Sequence, residues 1–262
     1  MMVIENEFKK NNEFKKNKNI RYHVLDELRG FLILNMIVYH MLWDLVYLYG
    51  VGIEWYQGYW GFLWQQWGCH FFILLSGFCW QMGKKHLKRG MLVFGAGFFI
   101  TVITLLILPG SRVIFGVLTF TGSAMLFMIP VSKLLDKLHP GIGIAETFLL
   151  FIFSHSINNG YLGIGKLVRI QLPKNWYSNL FSTYLGFPEK GFWSTDYFSI
   201  FPWIFLYIIG YFGYSILKRK EWLGWAKKGI CPPLGFIGRY SLVFYMIHQP
   251  IIYGVCLLVF GY

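Results

Sequence analysis

The chain has 262 residues, 56% of them hydrophobic and only 14% charged, with a formal net charge of +12. With a mean hydropathy of +0.48, this composition excludes an ordinary soluble domain and places the chain among polytopic membrane proteins, where one helical bundle in lipid is the structural unit. A nucleic-acid partner is excluded as well, because the basic residues stand in short clusters between apolar runs with no soluble domain around them.

In chain order, residues 1–20 are rich in Lys, Asn and Glu and repeat NEFKK at Asn6–Lys10 and Asn12–Lys16. A segment this polar cannot bury a core and is expected to be a cytoplasmic tail, with residues 21–262 forming the integral-membrane domain. A secretory signal is not expected: the first apolar run begins late, is of spanning length and has no small-residue cleavage pattern.

The pattern predicts an all-α polytopic transmembrane bundle of about seven spans, near 24–49, 60–83, 90–108, 114–132, 142–157, 198–217 and 236–259. The fifth is the shortest. All the Lys and Arg residues except Arg112, Lys166, Arg169, Lys174 and Lys190 fall on one side of these spans. The positive-inside rule then sets a cytoplasmic N-terminus and a multi-pass protein of the cell membrane, partnered by membrane lipid.

The first span, within RYHVLDELRGFLILNMIVYHMLWDLVYLYG, carries Asp26, Glu27, Arg29, His40 and Asp44 in or beside its apolar run. Charges there cost free energy unless they are paired or face a cavity, so they are functional candidates. At ~100° per residue, Arg29 and His40 close to within ~20° of one face with ~16 Å of rise between them. Asp44 lies one turn beyond His40, where it is expected to fix the imidazole tautomer and support a general base. Asp26 and Arg29 are spaced to pair, either as a plain salt bridge at the helix start or as a substrate contact.

The second span carries His70 and Ser76-Gly77 in WGCHFFILLSGF. Gly77 reads as a close-packing residue. His70 is read equally as half of a two-histidine site or as a structural histidine. Residues 158–197 form an extracytoplasmic segment rich in Trp, Tyr, Phe, Asn, Gly and Pro, too long for an idle link. It is either a lid or acceptor-binding surface, or an aromatic loop resting on lipid headgroups. Asp196 is expected to cap the sixth helix. In the last span, His248 and Gln249 precede Pro250, which is expected to bend the helix and expose a carbonyl near Met246, either lining a cavity or satisfied by Gln249 alone. Cys69, Cys79, Cys231 and Cys256 lie too far apart for a zinc site or a disulfide framework and read as packing residues. No metal site is expected.

Arg29 and His40, inside LDELRGFLILNMIVYH, resemble the first-helix signature of the membrane acyltransferase three family, and FFILLSGF resembles that family's second-helix motif. The finer resemblance is to relatives of the heparan-alpha-glucosaminide N-acetyltransferase catalytic domain. YHMLWDL, GVLTFTGSAML from Gly116, DYFSIFPWIFLYIIG from Asp196 and SLVFYMIHQP from Ser241 are similar to its blocks and stand in family order, covering nearly all the chain beyond residue 20.

The resemblance implies an integral-membrane enzyme that moves an acyl group, commonly acetyl, from a cytoplasmic coenzyme A thioester to a hydroxyl or amine of a glycan or cell-envelope acceptor. It implies His40 as the catalytic histidine and Arg29 as its companion. One departure stands out: the animal lysosomal enzymes credit the chemistry to a histidine in the loop before the second helix, and WYQGYWGFLWQQWG here has none. Acetyl-CoA or another acyl-CoA is polyanionic, and Arg29, Asp26, Lys84, Lys85, Arg89 and Arg239 are expected to receive it at the inner surface. His70, Ser76, His248, Gln249 and Asp196 are expected to serve the acceptor or support the site. The rival reading is a proton-coupled transporter or flippase with His40, His70 and His248 as a relay, although no inverted repeat is visible. A third is a non-catalytic membrane scaffold. Acceptor identity, acyl chain, direct transfer against an acyl-histidine intermediate, and oligomeric state, homodimer included, are left open by the sequence.

Overall fold

A computed structural model describes residues 21–165 and 168–261. The tail 1–20, with its NEFKK repeat, and Lys166 lie outside the described residues. Among the described residues, the protein is all-α apart from one two-stranded ladder. Its helices are α1 (His23–Tyr47), α2 (Glu54–Gln57), α3 (Tyr59–Trp80), α4 (His86–Ile107), α5 (Val117–Leu135), α6 (Pro140–Ser154), α7 (Leu180–Leu185), α8 (Trp203–Arg219), α9 (Pro232–Arg239) and α10 (Ser241–Phe260).

Among the described residues, five helical stretches are long and apolar enough to cross a membrane: His23–Tyr47, His86–Ile107, Val117–Leu135, Pro140–Asn159 and Ser241–Phe260. The other two expected spans are helices as well. However, α3 is diluted by Trp, Gln, Gly and His, and α8 has only 17 residues. Leu106 is 76% and Leu258 88% exposed, as side chains on a lipid-facing surface would be.

The chain divides into two compact units, one formed by the segment ending at Asp44 with Glu221–Tyr262, the other by Leu45–Lys220. In the first, α1 and α9 meet through glycines. A Cβ at Gly30 would overlap the Leu234 carbonyl, and one at Gly238 would overlap that of Asp26. In the second, α4 packs on α5, and α8 packs on both α3 and α6. Gly77 of α3 lies against the Tyr207 carbonyl and Gly210 of α8 against that of Leu74, so two backbones touch where small residues permit it. The packing reading of Gly77 therefore holds.

The described residues of the segment 158–197 are held by local hydrogen bonds. Strands β1 (Tyr161–Leu162) and β2 (Ile170–Gln171) pair antiparallel, Tyr161 opposite Gln171. Helix α7 starts in a capping box between Asn179 and Ser182. Tyr177 donates to the Ile157 carbonyl at 2.5 Å and Tyr197 to that of Thr183 at 2.5 Å, while Tyr184 bonds Ser123 of α5.

Candidate functional site

In the first unit, α1 opens with Asp26 held by two guanidinium groups: Arg21 at 2.7 Å and Arg29 at 3.1 Å. The acid in the first turn complements the helix dipole. Glu27, only 8% exposed, turns the other way, and its Oε1 accepts from the N–H groups of Ile230 at 2.7 Å and Cys231 at 2.8 Å. Pro232 and Pro233 follow at the start of α9 and have no N–H to give, so residues 230 and 231 carry the available donors. The sequence reading assigned Glu27 no partner, which lies more than two hundred residues away.

Further along α1, the His40 ring lies 5.1 Å from the His248 ring of α10, centroid to centroid, and 6.0 Å edge-on to Tyr39. Asp44, fully buried, accepts from Gln249 Nε2 through both carboxylate oxygens, at 2.8 and 2.9 Å. The pairing expected between Asp44 and His40 is therefore not formed; Asp44 holds Gln249, and His40 faces a second imidazole. Helix α10 continues through Pro250. Gln249 is committed to Asp44, and the Tyr245 carbonyl accepts from His248 Nδ1 at 2.5 Å. Two buried acceptors in this cluster, His248 Nε2 and Gln249 Oε1, have no partner among the described residues. Arg239, exposed, closes α9, where a cation suits the carboxyl end of the helix.

In the second unit, His70 donates Nδ1–H to the Gln66 carbonyl at 2.6 Å, and its ring packs edge-on against Phe151 at 5.9 Å and Trp203 at 5.1 Å. His155, which the sequence reading passed over, meets the same two rings. Ser76 is half-buried beside Gly77. Lys84, Lys85 and Arg89 are exposed around the start of α4, where Lys85 takes a left-handed backbone with φ 58 and His86 stacks on Trp80 at 4.1 Å.

Asp196 is a cap, but of a different helix from the one expected. Its Oδ2 accepts from the Val117 N–H at 2.9 Å, the first turn of α5, and α8 begins at Trp203 without it. Nearby Ser194 Oγ accepts from Ile114 N–H at 2.9 Å, so residues 194–196 close the start of α5 together. Burial pushes the Asp196 carboxyl up to about 6, the Val117 hydrogen bond opposing. Burial likewise pushes the Tyr197 phenol up to about 12. Among the described residues, no group of three His, Cys, Asp or Glu side chains is arranged to hold a metal ion.

The structure thus brings His40, Asp44, His248 and Gln249 together, pairs Arg29 with Asp26, and gives His70 and Asp196 separate surroundings. No curated protein and no solved structure matches the chain. The family model of the catalytic domain of heparan-alpha-glucosaminide N-acetyltransferase matches residues 21–250. Its members are membrane N-acetyltransferases that use acetyl-CoA. The matched region contains both α1 and the His248–Gln249 pair, and the chain belongs to this family.

Proposed function

We propose that this protein is a multi-pass enzyme of the cell membrane that moves an acyl group, most simply acetyl, from cytoplasmic acyl-CoA to a hydroxyl or amine of an extracytoplasmic glycan of the cell envelope. In this reading, the tail 1–20 is cytoplasmic, residues 21–262 form the membrane domain in seven spans, and the segment 158–197 lies outside. The observation that carries the reading is the polar cluster on α1 and α10, half-buried His40 against buried His248 with the Asp44–Gln249 pair beside them, in a chain of an acetyl-CoA-dependent family. Such polar groups within apolar helices are costly to keep and mark sites of chemistry.

Acetyl-CoA supplies an acyl group activated as a thioester. The protein's part is to hold that carbonyl and to manage one proton. His40 serves as base or nucleophile. Arg29, whose guanidinium is single-bonded to Asp26, has further donors to offer the phosphates of coenzyme A, with Lys84, Lys85, Arg89 and Arg239 as supporting cations. The Asp44–Gln249 pair fixes one wall of the site. Coenzyme A release from acetyl-CoA by purified protein tests the reading. His40→Ala is expected to lose a factor of roughly 10²–10⁴, the usual share of a positioned proton-transfer group. Unchanged turnover in the variant removes His40 from the mechanism.

A further inference from the structure

The His40–His248 pair is asymmetric, and the asymmetry divides the labour between the two rings. His248 Nδ1 lies 2.5 Å from the Tyr245 carbonyl, and a carbonyl can only accept, so Nδ1 carries the proton. In the neutral ring, the lone pair then sits on Nε2. That atom is buried with no partner among the described residues, in a side chain only 6% exposed.

Its neighbour in sequence repeats the pattern. Gln249 spends its Nε2 on both oxygens of Asp44, and its own Oε1 is left as a second buried acceptor without a donor. Unpaired buried acceptors cost free energy, and two on consecutive residues call for a ligand that brings N–H or O–H donors. A thioester has none; the attacking amine or hydroxyl has.

Resting on the acyltransferase reading above, we infer that His248 Nε2 accepts the proton of the acceptor's amine or hydroxyl, while Gln249 Oε1, held in place by Asp44, positions that same group. As the acceptor's nitrogen or oxygen bonds to the thioester carbonyl carbon, its proton passes to His248 Nε2. The carbon–sulfur bond breaks, and the thiolate of coenzyme A takes up that proton as it leaves, which returns His248 to the neutral ring. Acyl-CoA and acceptor give amide or ester plus free thiol, with no other reactant. His40, 5.1 Å away, is then left for the thioester side. His248 is thus a catalytic residue of the site, and Gln249 and Asp44 are its positioning residues.

The test uses full-length protein with acetyl-CoA and two probe acceptors, glucosamine and hydroxylamine. Hydroxylamine is mostly free base at neutral pH and a strong nucleophile, so it needs no proton acceptor. His248→Asn keeps an N–H for the Tyr245 carbonyl but deletes Nε2, and His248→Gln reaches the Nε2 position with a group that cannot hold a proton. Both variants are expected to lose roughly 10²–10⁴-fold in transfer to glucosamine while keeping transfer to hydroxylamine within about threefold. Parallel loss with both acceptors overturns the inference in favour of a structural role. Full activity with both overturns it outright, and full glucosamine transfer in His248→Gln alone reduces the ring to a hydrogen-bonding one. Absence of thiol release with either acceptor in the unaltered protein overturns the acyltransferase reading itself, and this inference with it.

Discussion

The two units each bring a pair of histidines together, and they treat them differently. In Leu45–Lys220, His70 and His155 sit among Phe151 and Trp203, with His70 Nδ1 bound to a carbonyl one turn back in its own helix. Aromatic edges and a local backbone acceptor are what a packing imidazole needs. In the other unit, His40 and His248 sit beside a half-buried carboxamide and a buried carboxylate, and two buried acceptor atoms, His248 Nε2 and Gln249 Oε1, are left without donors among the described residues. Two histidines in the middle of apolar helices look alike in a sequence. On the acyltransferase reading, what marks the working pair is a buried acceptor that its surroundings leave without a donor.

The largest expected effect tests this contrast directly. His70→Phe keeps the ring and its contacts with Phe151 and Trp203, and is expected to hold coenzyme A release within about threefold and to cost about 1 kcal/mol of stability for the lost hydrogen bond. His40→Ala is expected to lose roughly 10²–10⁴-fold of turnover. Equal losses in the two variants, measured by thiol release and by thermal unfolding, would erase the distinction between the clusters.

A smaller effect is expected within the polar cluster. Gln249→Leu strands the buried carboxylate of Asp44, and Asp44→Leu strands the Gln249 amide, each at a cost of about 1–3 kcal/mol or more. Replacing both together removes donor and acceptor at once. The double variant is therefore expected to unfold at a higher temperature than Gln249→Leu alone, although it makes no product. Additive destabilisation would mean that the pair is not the unit that the geometry describes.

The next effect belongs to the second unit and reads as a pH dependence. Burial raises the Asp196 carboxyl from its ordinary 3.8 to about 6. Between those values, the folded protein binds more protons than the unfolded one, so stability falls as pH rises through the window and levels off above it. Asp196→Asn cannot titrate and keeps an oxygen for the Val117 N–H. Its unfolding midpoint is expected to match the unaltered protein near pH 4, to gain on it as pH rises from about 4 to about 6, and to keep that lead above 6. A constant difference between the two across that range would remove the buried-acid account.

Particular residues show how far the sequence reaches. The long helices follow from apolar runs: the seven stretches expected as spans become α1, α3, α4, α5, α6, α8 and α10, of which α3 and α8 fall short of spanning length or hydropathy. The family blocks around His40 and His248 are readable because each is contiguous. Partnerships are another matter. Asp44 and Gln249 are 205 residues apart, Glu27 and Cys231 204, and no periodicity along one helix announces a partner on another. For Asp44, the nearest candidate in sequence was His40, one turn away, and the structure gives it a more distant one. Asp196 shows the same bias: local spacing points to the helix that follows it, but the chain folds back and closes the start of α5 instead. Local spacing favours local partners, whereas a buried charge takes whichever donor the fold brings to it.

The smallest expected effect concerns the segment 158–197, which the proposed topology puts outside and which reads either as a lid over the acceptor or as an aromatic loop on the membrane surface. Its ordered turns, its capping box and the Tyr184–Ser123 bond to α5 make it a fixed element of its unit. Order alone suits either role. Tyr184→Phe deletes only the hydroxyl and is expected to cost about 0.5–1.5 kcal/mol. For a lid, loosening this tether raises KM for a glycan acceptor several-fold and leaves KM for acetyl-CoA alone, because only one substrate arrives from that side. For a headgroup-resting loop, both constants stay where they were while the unfolding temperature still drops. The split between the two KM values, read beside the unfolding midpoint, therefore decides whether this segment takes part in acceptor binding or only stabilises its own unit.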